Sequence, residues 1–442
     1  FPEEIHVLEH IDRLIEIFSV CWPMYAAMPA VLKNAMLQAY EVCGWNLETS
    51  ENEYNKNLFP TFQDLLTELV DVIEHSAYDK EVKNNYRGSL ETRVRSLANG
   101  LNGQIFSADE IPEKQLFDEN TIVDLSRVGS LESKSLIMGI LIMRLNEYRM
   151  TSCTEMNNPL KHVTVLEEAH NILRRTSMEQ TEEGSNVAGK SVEMIANAIA
   201  EMRTYGEGFV IADQSPGAVD ISAIRNTNTK IIMRLPDEQD RQLAGKAAAL
   251  KDDQLDEIAR LPKGVAVIYQ NNWTEPVLCK INKFEGEEKR YQYKTCATDR
   301  KAEMMSAILL RNLLKKEKGE PLDLNLRQLQ DLLLKVSMPS KTKIAALKAL
   351  QKNGRCRQKD IQSVVYKLVC TPKVEEELTH TESIEEWRDE IAYFGSTGLA
   401  DLDEEMLNEV AELILLEQIK RYDWPKTYLE QWQEFRKKEM LV

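Results

Sequence analysis

The stretch VTVLEEAH at Val163–His170 decides the fold class of this chain. An apolar run that leads directly into two carboxylates is typical of a buried strand ending at an exposed edge. At the carboxyl edge of a parallel sheet, one acid can hold a magnesium shell while its neighbour orients or deprotonates an attacking water in phosphoryl transfer. The alternative is that Glu167 and Glu168 are exposed acids opening the next helix, where negative charge favours the helix dipole.

Short apolar runs alternate with helical stretches on both sides of this strand. Alternation of this kind predicts an α/β fold whose parallel sheet is covered on both faces. A strand pair joined through Asn271 and Asn272 then follows. The predicted strands are residues 121–125, 162–166, 209–212, 230–234, 264–269 and 276–281, and the predicted helices are residues 131–148, 191–204 and 237–261.

The sequence pattern divides the chain into three segments. Residues 1–115 are almost wholly helical in pattern, residues 116–285 hold the strands, and residues 286–442 are charged, helical and punctuated by prolines. The apolar stretch 14–32 is about as long as a membrane span. It contains Glu16, Pro23 and Pro29, so it is interpreted as buried helix and no membrane segment is expected.

Composition narrows the class of protein. The 442 residues carry a formal net charge of -17, which argues against coating nucleic acid with the whole surface but allows a basic channel inside an acidic ring. Seven scattered cysteines without a C-x-x-C pair favour a reducing compartment, here the cytoplasm. The first residue is Phe1, and we expect the chain to be part of a longer protein.

Four motifs follow one another in a specific order and spacing. They are EEAH at 167–170, EMRTYGEG at 201–208, DQSP at 213–216 and NTNTKIIMRL at 226–235. Together they resemble the second half of a HerA-type ATPase domain, within the HerA/FtsK class of P-loop ATPases. The likeness covers residues 121–281 and loosely the first segment, and it does not extend past Phe284.

The resemblance implies a RecA-like core at residues 116–285, with a helical segment at 1–115 inserted in or preceding it and a helical C-terminal domain at 286–442. It makes Glu167 the Walker B acid, which binds Mg²⁺ directly or through water, and Glu168 the catalytic base. Gln214 becomes a sensor that contacts ATP together with these two acids. The family usually has Asp in place of Glu167 and a small hydroxyl residue in place of Asp213, although a longer acid still binds Mg²⁺.

Two arginines are implied to act as trans-acting arginine fingers. Arg203 follows Val192, Ala196 and Ile199 on one helical face, so it ends an apolar stripe and must snorkel, pair or reach out of the subunit. A snorkelling arginine at a helix end is the alternative. For Arg234 the alternative is a surface salt bridge to a nearby acid, Asp237 or Glu238.

Gln214 also has an alternative reading, because a polar residue that follows a strand can be merely structural.

A phosphate-loop pattern also occurs after the predicted Walker B strand. GSNVAGKS at 184–191 matches G-x-x-x-x-G-K-[ST] and opens a predicted helix. A phosphate cradle needs a buried strand leading into the glycine loop, whereas residues 177–183 are polar and acidic, and the match follows the Walker B strand instead of preceding it. We therefore expect the phosphate-binding loop upstream of residue 1, with Lys190 as the phosphate lysine only in the alternative case.

One basic segment stands out in the acidic chain. Residues 341–359 hold seven Lys or Arg and no acid. The segment could contact DNA or an acidic partner, or it could be a solvated helix face.

The resemblance implies a Mg²⁺-dependent ATPase of the DNA translocase and helicase type. It suggests a homo-hexameric ring that moves double-stranded DNA, with a partner nuclease or another effector and a setting in anti-phage defence. A ring that binds ATP and assembles an effector without translocating DNA is the alternative, because the same motifs serve both. A conjugation or secretion motor would need a membrane anchor.

Overall fold

The computed structural model describes residues 4–153, 155, 157–175, 187–286, 298–370, 372–379, 381, 383–398, 403–422 and 427–439. The strands are β1 (Trp45–Asn46), β2 (Glu51–Asn52), β3 (His162–Glu167), β4 (Glu207–Ala212), β5 (Thr229–Ile232), β6 (Val265–Gln270) and β7 (Val277–Lys280). The first helices are α1 (Val7–Cys21), α2 (Met28–Val42), α3 (Phe62–His75), α4 (Lys80–Tyr86), α5 (Thr92–Ala98), α6 (Gly100–Ile105), α7 (Glu113–Phe117), α8 (Leu131–Ser152), α9 (Val187–Glu201), α10 (Ile221–Asn226), α11 (Glu238–Ala247) and α12 (Asp252–Ile258). The C-terminal helices are α13 (Thr298–Lys318), α14 (Leu326–Lys335), α15 (Ser340–Gln351), α16 (Gln358–Val369), α17 (Pro372–Thr379), α18 (Ile384–Gly398), α19 (Glu404–Tyr422) and α20 (Thr427–Glu439). A single π-helical turn, Arg87–Glu91, joins α4 to α5, and 3-10 turns lie at Ala169–Asn171, Met202–Tyr205 and Pro216–Ala218.

The chain forms two compact units, each made of two separate segments. Unit 1 comprises Phe1–Asn34 and Ile111–Tyr291, and unit 2 comprises Ala35–Glu110 and Gln292–Val442. This division differs from the three consecutive segments predicted from sequence. The reason is that both halves of unit 2 are helical, so sequence pattern alone does not reveal that they share one core.

Unit 1 contains two small sheets. β3 and β4 pair in parallel, from His162 opposite Glu207 to Glu167 opposite Ala212. The strands β5, β6 and β7 form a separate antiparallel sheet in that order. The α/β class and the β6–β7 strand pair are confirmed. The prediction that residues 230–234 join the parallel sheet is wrong, because β5 hydrogen-bonds to the edge of the β6–β7 hairpin.

The predicted strand at residues 121–125 is not a strand. Local bonds occupy this stretch instead: the Thr121 hydroxyl donates to the Gln115 carbonyl, and the Ser126 amide donates to the Asp124 carboxylate. Ile122 is 91% exposed. An apolar run becomes a strand only when a neighbour satisfies its backbone, and none of the described strands pairs with it.

The β3–β4 pair is covered on one side by the described residues. Leu166 is buried beneath the pair, whereas Val163, Val165 and Val210 are exposed on the opposite face. The expectation of a sheet covered on both faces is therefore met on one face only within the described part of the chain.

The predicted helices of unit 1 are largely confirmed. α8 and α9 match residues 131–148 and 191–204, although the second ends in a 3-10 turn. The predicted helix at 237–261 is divided into α11 and α12, because Ala249 adopts a left-handed conformation with φ 58°. The apolar stretch at 14–32 belongs to α1 and α2, and no described helix has both the length and the low charge needed to cross a membrane.

Unit 2 is held together across a long sequence separation. The Asp64 carboxylate accepts hydrogen bonds from the Ser340 amide (2.8 Å) and the Ser340 hydroxyl (2.7 Å). Leu58 is buried in the same apolar cluster as the C-terminal helices. Lys343 is buried beside this pair, where desolvation lowers its pKa to about 8 and its ammonium donates to the Leu334 carbonyl.

Candidate functional site

The candidate site lies where β3 and β4 end. Because the two strands are parallel and Glu167 is paired with Ala212, the residues that follow, Glu168 and Asp213, leave the sheet at the same edge. Gln214 comes next and is exposed in a bend. The structure therefore brings these four polar residues to one edge, as the strand order predicts.

Glu168 has an unusual backbone. Its φ of 51° and ψ of 49° lie in the left-handed region, which costs a residue with a Cβ about 1–2 kcal/mol. The following residue, Ala169, is fully buried and begins a 3-10 turn. The chain therefore turns sharply after the strand and leaves both Glu167 and Glu168 exposed at the edge.

A histidine–aspartate pair joins the two strand ends. The Asp213 carboxylate oxygen Oδ2 accepts from the His170 backbone amide (2.9 Å) and is 2.8 Å from the His170 ring Nδ1. The Ser215 amide donates to the other oxygen at 2.9 Å. Burial raises the Asp213 pKa, but the hydrogen bonds from Ser215 and His170 outweigh it, so the pKa lies below its ordinary value.

The loops after the two strands are also paired with each other. The Asp220 amide donates to the Leu173 carbonyl at 2.7 Å, and the Arg175 amide donates to the Ala218 carbonyl at 2.8 Å. On the other side, the Ser135 hydroxyl of α8 donates to the Asn171 carbonyl at 2.6 Å. The edge is therefore a connected backbone framework.

The opposite end of the pair is built differently. Glu207, whose side chain is 0% exposed, accepts from the Arg149 guanidinium at 2.9 Å and from the Thr164 hydroxyl at 2.7 Å, and its carboxylate is 2.7 Å from the His162 ring Nδ1. Arg149 also pairs with Asp118 at 2.7 Å. We call these residues the amino-end network. Sequence reasoning missed it, because Glu207 is the first residue of β4 and an acid at a strand end is often exposed.

Arg203 lies at this amino end. α9 stops at Glu201, and the 3-10 turn that follows places Met202, not Arg203, in the buried position after Ile199. The prediction that Arg203 ends the apolar stripe is therefore wrong. Arg203 is exposed, and the length of β4 separates it from Glu168 by roughly 20 Å. The structure does not bring these two predicted site residues together within one subunit.

Arg234 lies apart from both ends of the β3–β4 pair. It follows β5 in the antiparallel sheet and is exposed. Its guanidinium Nε donates to the Ala259 carbonyl at 3.1 Å, after α12. This contact leaves the rest of the guanidinium open to solvent, and the arginine-finger role of Arg234 stays a prediction.

The structure describes the phosphate-loop pattern at residues 184–191 only in part. Gly184, Ser185 and Asn186 lie outside the described residues. Lys190 is exposed in the first turn of α9, and Ser191 is buried. Whether residues 184–191 form a phosphate cradle stays untested, and so does the expected loop upstream of residue 1.

The strand-end acids suit a magnesium ion. Both are exposed oxygen donors, and neither forms an ion pair with a described Lys, Arg or His. The Glu168 carboxylate accepts a long hydrogen bond of 3.4 Å from the Asn171 amide. No cluster of three or more metal-binding side chains occurs among the described residues. Mg²⁺ is usually bound by one or two carboxylates with phosphates and water, and Glu167 and Glu168 could supply such carboxylates.

The basic segment at residues 341–359 is less available than its sequence indicates. Lys343 is buried, and Lys348 lies over the Tyr54 ring at 4.7 Å. Lys352 and Arg357 both contact the Asp360 carboxylate. Most of its charge is therefore engaged within unit 2.

Comparison with known proteins finds several relatives that carry the same name, HerA helicase. No protein-family model matches the chain. It is 23% identical over 301 residues to the DNA double-strand break repair helicase HerA of Sulfurisphaera tokodaii, covering 65% of this chain and 58% of that protein. It is 26% identical over 170 residues to HerA of Sulfolobus acidocaldarius, covering 37% and 32%, and 31% identical over 96 residues to HerA of Pyrococcus furiosus, covering 22% and 17%. The chain thus spans under two thirds of each of these relatives.

A solved structure, VirB4 of Thermoanaerobacter pseudethanolicus, matches with a TM-score of 0.44 and 15% identity over 62% of this chain and 69% of that one. The described strands and helices form an α/β domain with acids where β3 and β4 end. By sequence the chain is similar to HerA helicases, which are P-loop ATPases of the HerA/FtsK type.

Proposed function

We propose that the chain is the hydrolytic part of an ATP-driven, ring-forming HerA-like motor that acts on double-stranded DNA. The observation that carries this proposal is the edge formed by β3 and β4, where two carboxylates without an ion-pair partner among the described residues lie beside the Asp213–Gln214 strand end. Hydrolysis of a phosphoanhydride needs an acid near the metal, a base for the water and a polar group near the γ-phosphate.

The strand-end residues can supply these three functions. In this proposal Glu167 holds Mg²⁺, directly or through water, and Glu168 accepts the proton of the attacking water. Gln214 donates its amide to the phosphate or the water. Bound Mg²⁺ supplies charge neutralisation of the phosphate oxygens. The left-handed turn at Glu168 supports this assignment, because strained residues concentrate at sites where a side chain must be presented.

The proposed role of Arg203 as an arginine finger requires a multimeric active species. At roughly 20 Å from Glu168 it is too far to contact a nucleotide at its own subunit's acidic edge. It can serve as an arginine finger only on a neighbour, so the proposal requires a ring, with a homo-hexamer taken from the resemblance. A partner nuclease or defence effector and a cytoplasmic setting belong to the same proposal.

The first experiment measures steady-state ATP hydrolysis with and without duplex DNA. Wild-type protein is compared with Glu168→Gln, Lys190→Ala and the control Glu193→Gln, an exposed glutamate on α9. We expect Glu168→Gln to lower turnover by about 10²- to 10⁴-fold, the usual contribution of a general base. We expect the other two variants to match wild type, and DNA to stimulate hydrolysis.

Three results would contradict parts of the proposal. Turnover that survives Glu168→Gln removes the assigned base. Loss of ATP binding in Lys190→Ala would make residues 184–191 the phosphate loop. Hydrolysis indifferent to DNA would favour the assembly scaffold over the motor.

A mixing experiment tests the role of Arg203 in trans. Arg203→Ala and Glu168→Gln proteins are each expected to be inactive alone. At equal amounts, random assembly gives about a quarter of interfaces with both groups intact, so mixing should restore a corresponding fraction of turnover. No recovery in mixed rings whose exchange is verified would show that Arg203 does not act across the interface, and the same test with Arg234→Ala then assigns the finger.

A further inference from the structure

The link between His170 and Asp213 has no role in the function proposed above. Asp213 stands where the resembling family usually has a small hydroxyl residue, so its carboxylate is a departure that needs an explanation. Its side chain is 6% exposed, although it adjoins an exposed edge. A buried carboxylate is stable only when its oxygens are hydrogen-bonded, and here both oxygens are.

The hydrogen bonds of Asp213 connect the two strand ends specifically. Oδ2 accepts twice from His170, through the backbone amide and the ring, whereas Oδ1 accepts from Ser215 on its own loop. A carboxylate can only accept, so the ring donates its Nδ1 proton. A serine or threonine hydroxyl has only two acceptor lone pairs and could not accept all three of these hydrogen bonds.

Residues adjacent to the link connect it to Glu168, the proposed base, and to Gln214. His170 lies two residues after Glu168, and after the left-handed turn at Glu168 its amide donates to Asp213. The next residue, Asn171, donates its side-chain amide to the Glu168 carboxylate. Gln214 follows Asp213 directly. The same carboxylate therefore fixes the backbone on which Glu168 and Gln214 stand.

We propose that Asp213 and His170 form a positioning pair that holds the Glu168 carboxylate and the Gln214 amide in register across the ends of β3 and β4. This inference rests on the proposed hydrolytic function and deepens it. Neither residue touches the reacting atoms. The pair adds a side-chain link next to the backbone bonds that already join the two loops, so a change at the γ-phosphate sensed by Gln214 is transmitted to the residues that carry the base.

The test compares variants that break the link with variants that keep it. Asp213→Ala removes the whole link and His170→Phe breaks its side-chain part, whereas His170→Asn retains a donor near the Nδ1 position. Asp220→Asn is the matched control, because Asp220 caps α10 in the same loop through Ser222 and asparagine caps equally well. Each whole protein is assayed for kcat and KM for ATP, melting temperature, and hydrogen–deuterium exchange of the peptide that spans residues 166–173.

We expect Asp213→Ala and His170→Phe to lower kcat by about tenfold to a hundredfold, the scale of a small misplacement of a catalytic group. KM should change by less than about threefold, because neither Asp213 nor His170 contacts a phosphate in this proposal. The double variant should be no slower than the slower single variant, since both remove the same link. His170→Asn should recover most of kcat, and exchange in residues 166–173 should rise only in the link-breaking proteins.

Other outcomes separate this inference from the function beneath it. Wild-type protein that hydrolyses ATP while both link-breaking variants keep kcat would overturn the positioning pair alone. The pair is also overturned if the losses of kcat add in the double variant. The same holds if kcat falls only as far as the fraction of folded protein falls. Wild-type protein that does not hydrolyse ATP would overturn the proposed function and this inference with it.

Discussion

The two ends of the β3–β4 pair differ in how their charges are treated. At the amino end, Glu207 and Arg149 are buried and fully paired. At the carboxyl end, Glu167 and Glu168 are exposed without a cation partner among the described residues, and one of them has a strained backbone. One strand pair therefore places paired, buried charges at one end and exposed acids at the other.

Removing the central acid of the amino-end network should give the largest effect on stability. Glu207→Gln leaves the Arg149 guanidinium with a weaker partner in a buried setting, so the free energy of unfolding should fall by about 3 kcal/mol. Denaturant titration measures this change. ATP turnover per folded molecule should stay unchanged, and exposed Glu201→Gln is the control. A loss of turnover without a loss of stability would erase the distinction between the ends.

Relieving the backbone at the carboxyl end should have the opposite sign. Glu168→Gly removes the Cβ from a left-handed residue, so the free energy of unfolding should rise by about 1 kcal/mol while hydrolysis is lost. Ala249→Gly is the matched control, because Ala249 is also left-handed but lies between α11 and α12. It should gain stability and keep activity. If Glu168→Gly is destabilised, the strain assigned to this residue is absent.

Acid should lower the free energy of unfolding through the amino-end network, by less than either of the two substitutions above changes it. Burial raises the Asp118 pKa, but hydrogen bonds from Arg149 and Tyr148 and the Arg149 charge outweigh it, so the folded pKa lies below the ordinary value. The unfolded carboxyl therefore takes up its proton first, near pH 4. The stability that this pair contributes is present above pH 4 and is lost as the pH falls through the lower folded pKa.

Denaturation curves between about pH 5 and 2 test this sign. Asp118→Asn should lose stability with falling pH less steeply than wild type, whereas exposed Asp253→Asn should follow the wild-type slope. An Asp118→Asn protein with the wild-type slope would show that the acid dependence comes from other groups.

The sequence predicted β3 and the acids that end it, but it did not predict the pairing of β5 or the exposure of residues 121–125. The run at Val163–His170 indicated both the strand and the acids that end it, because periodicity and polarity are local signals. The antiparallel pairing of β5 depends on a distant edge, and the exposed stretch at residues 121–125 depends on a missing neighbour strand among the described residues. Sequence pattern does not report partners of this kind.

The site was predictable in position and not in its connections. Glu167, Glu168 and Gln214 lie at one edge because parallel strands end together. The His170–Asp213 link depends on the left-handed turn at Glu168, which a residue with a Cβ gives no local reason to expect. Arg203 was misplaced because a regular helix was extended through a 3-10 turn.

The hydrogen bonds between Asp64 and Ser340 carry a consequence for synthesis of the protein. The two residues are 276 positions apart, yet they close the same unit. A ribosome that adds about 5–20 residues per second needs on the order of tens of seconds to make that interval. Residues 35–110 therefore wait, with the apolar surface of Leu58 still unmatched, until the last third of the chain emerges. Nascent chains should depend on chaperones most during this interval.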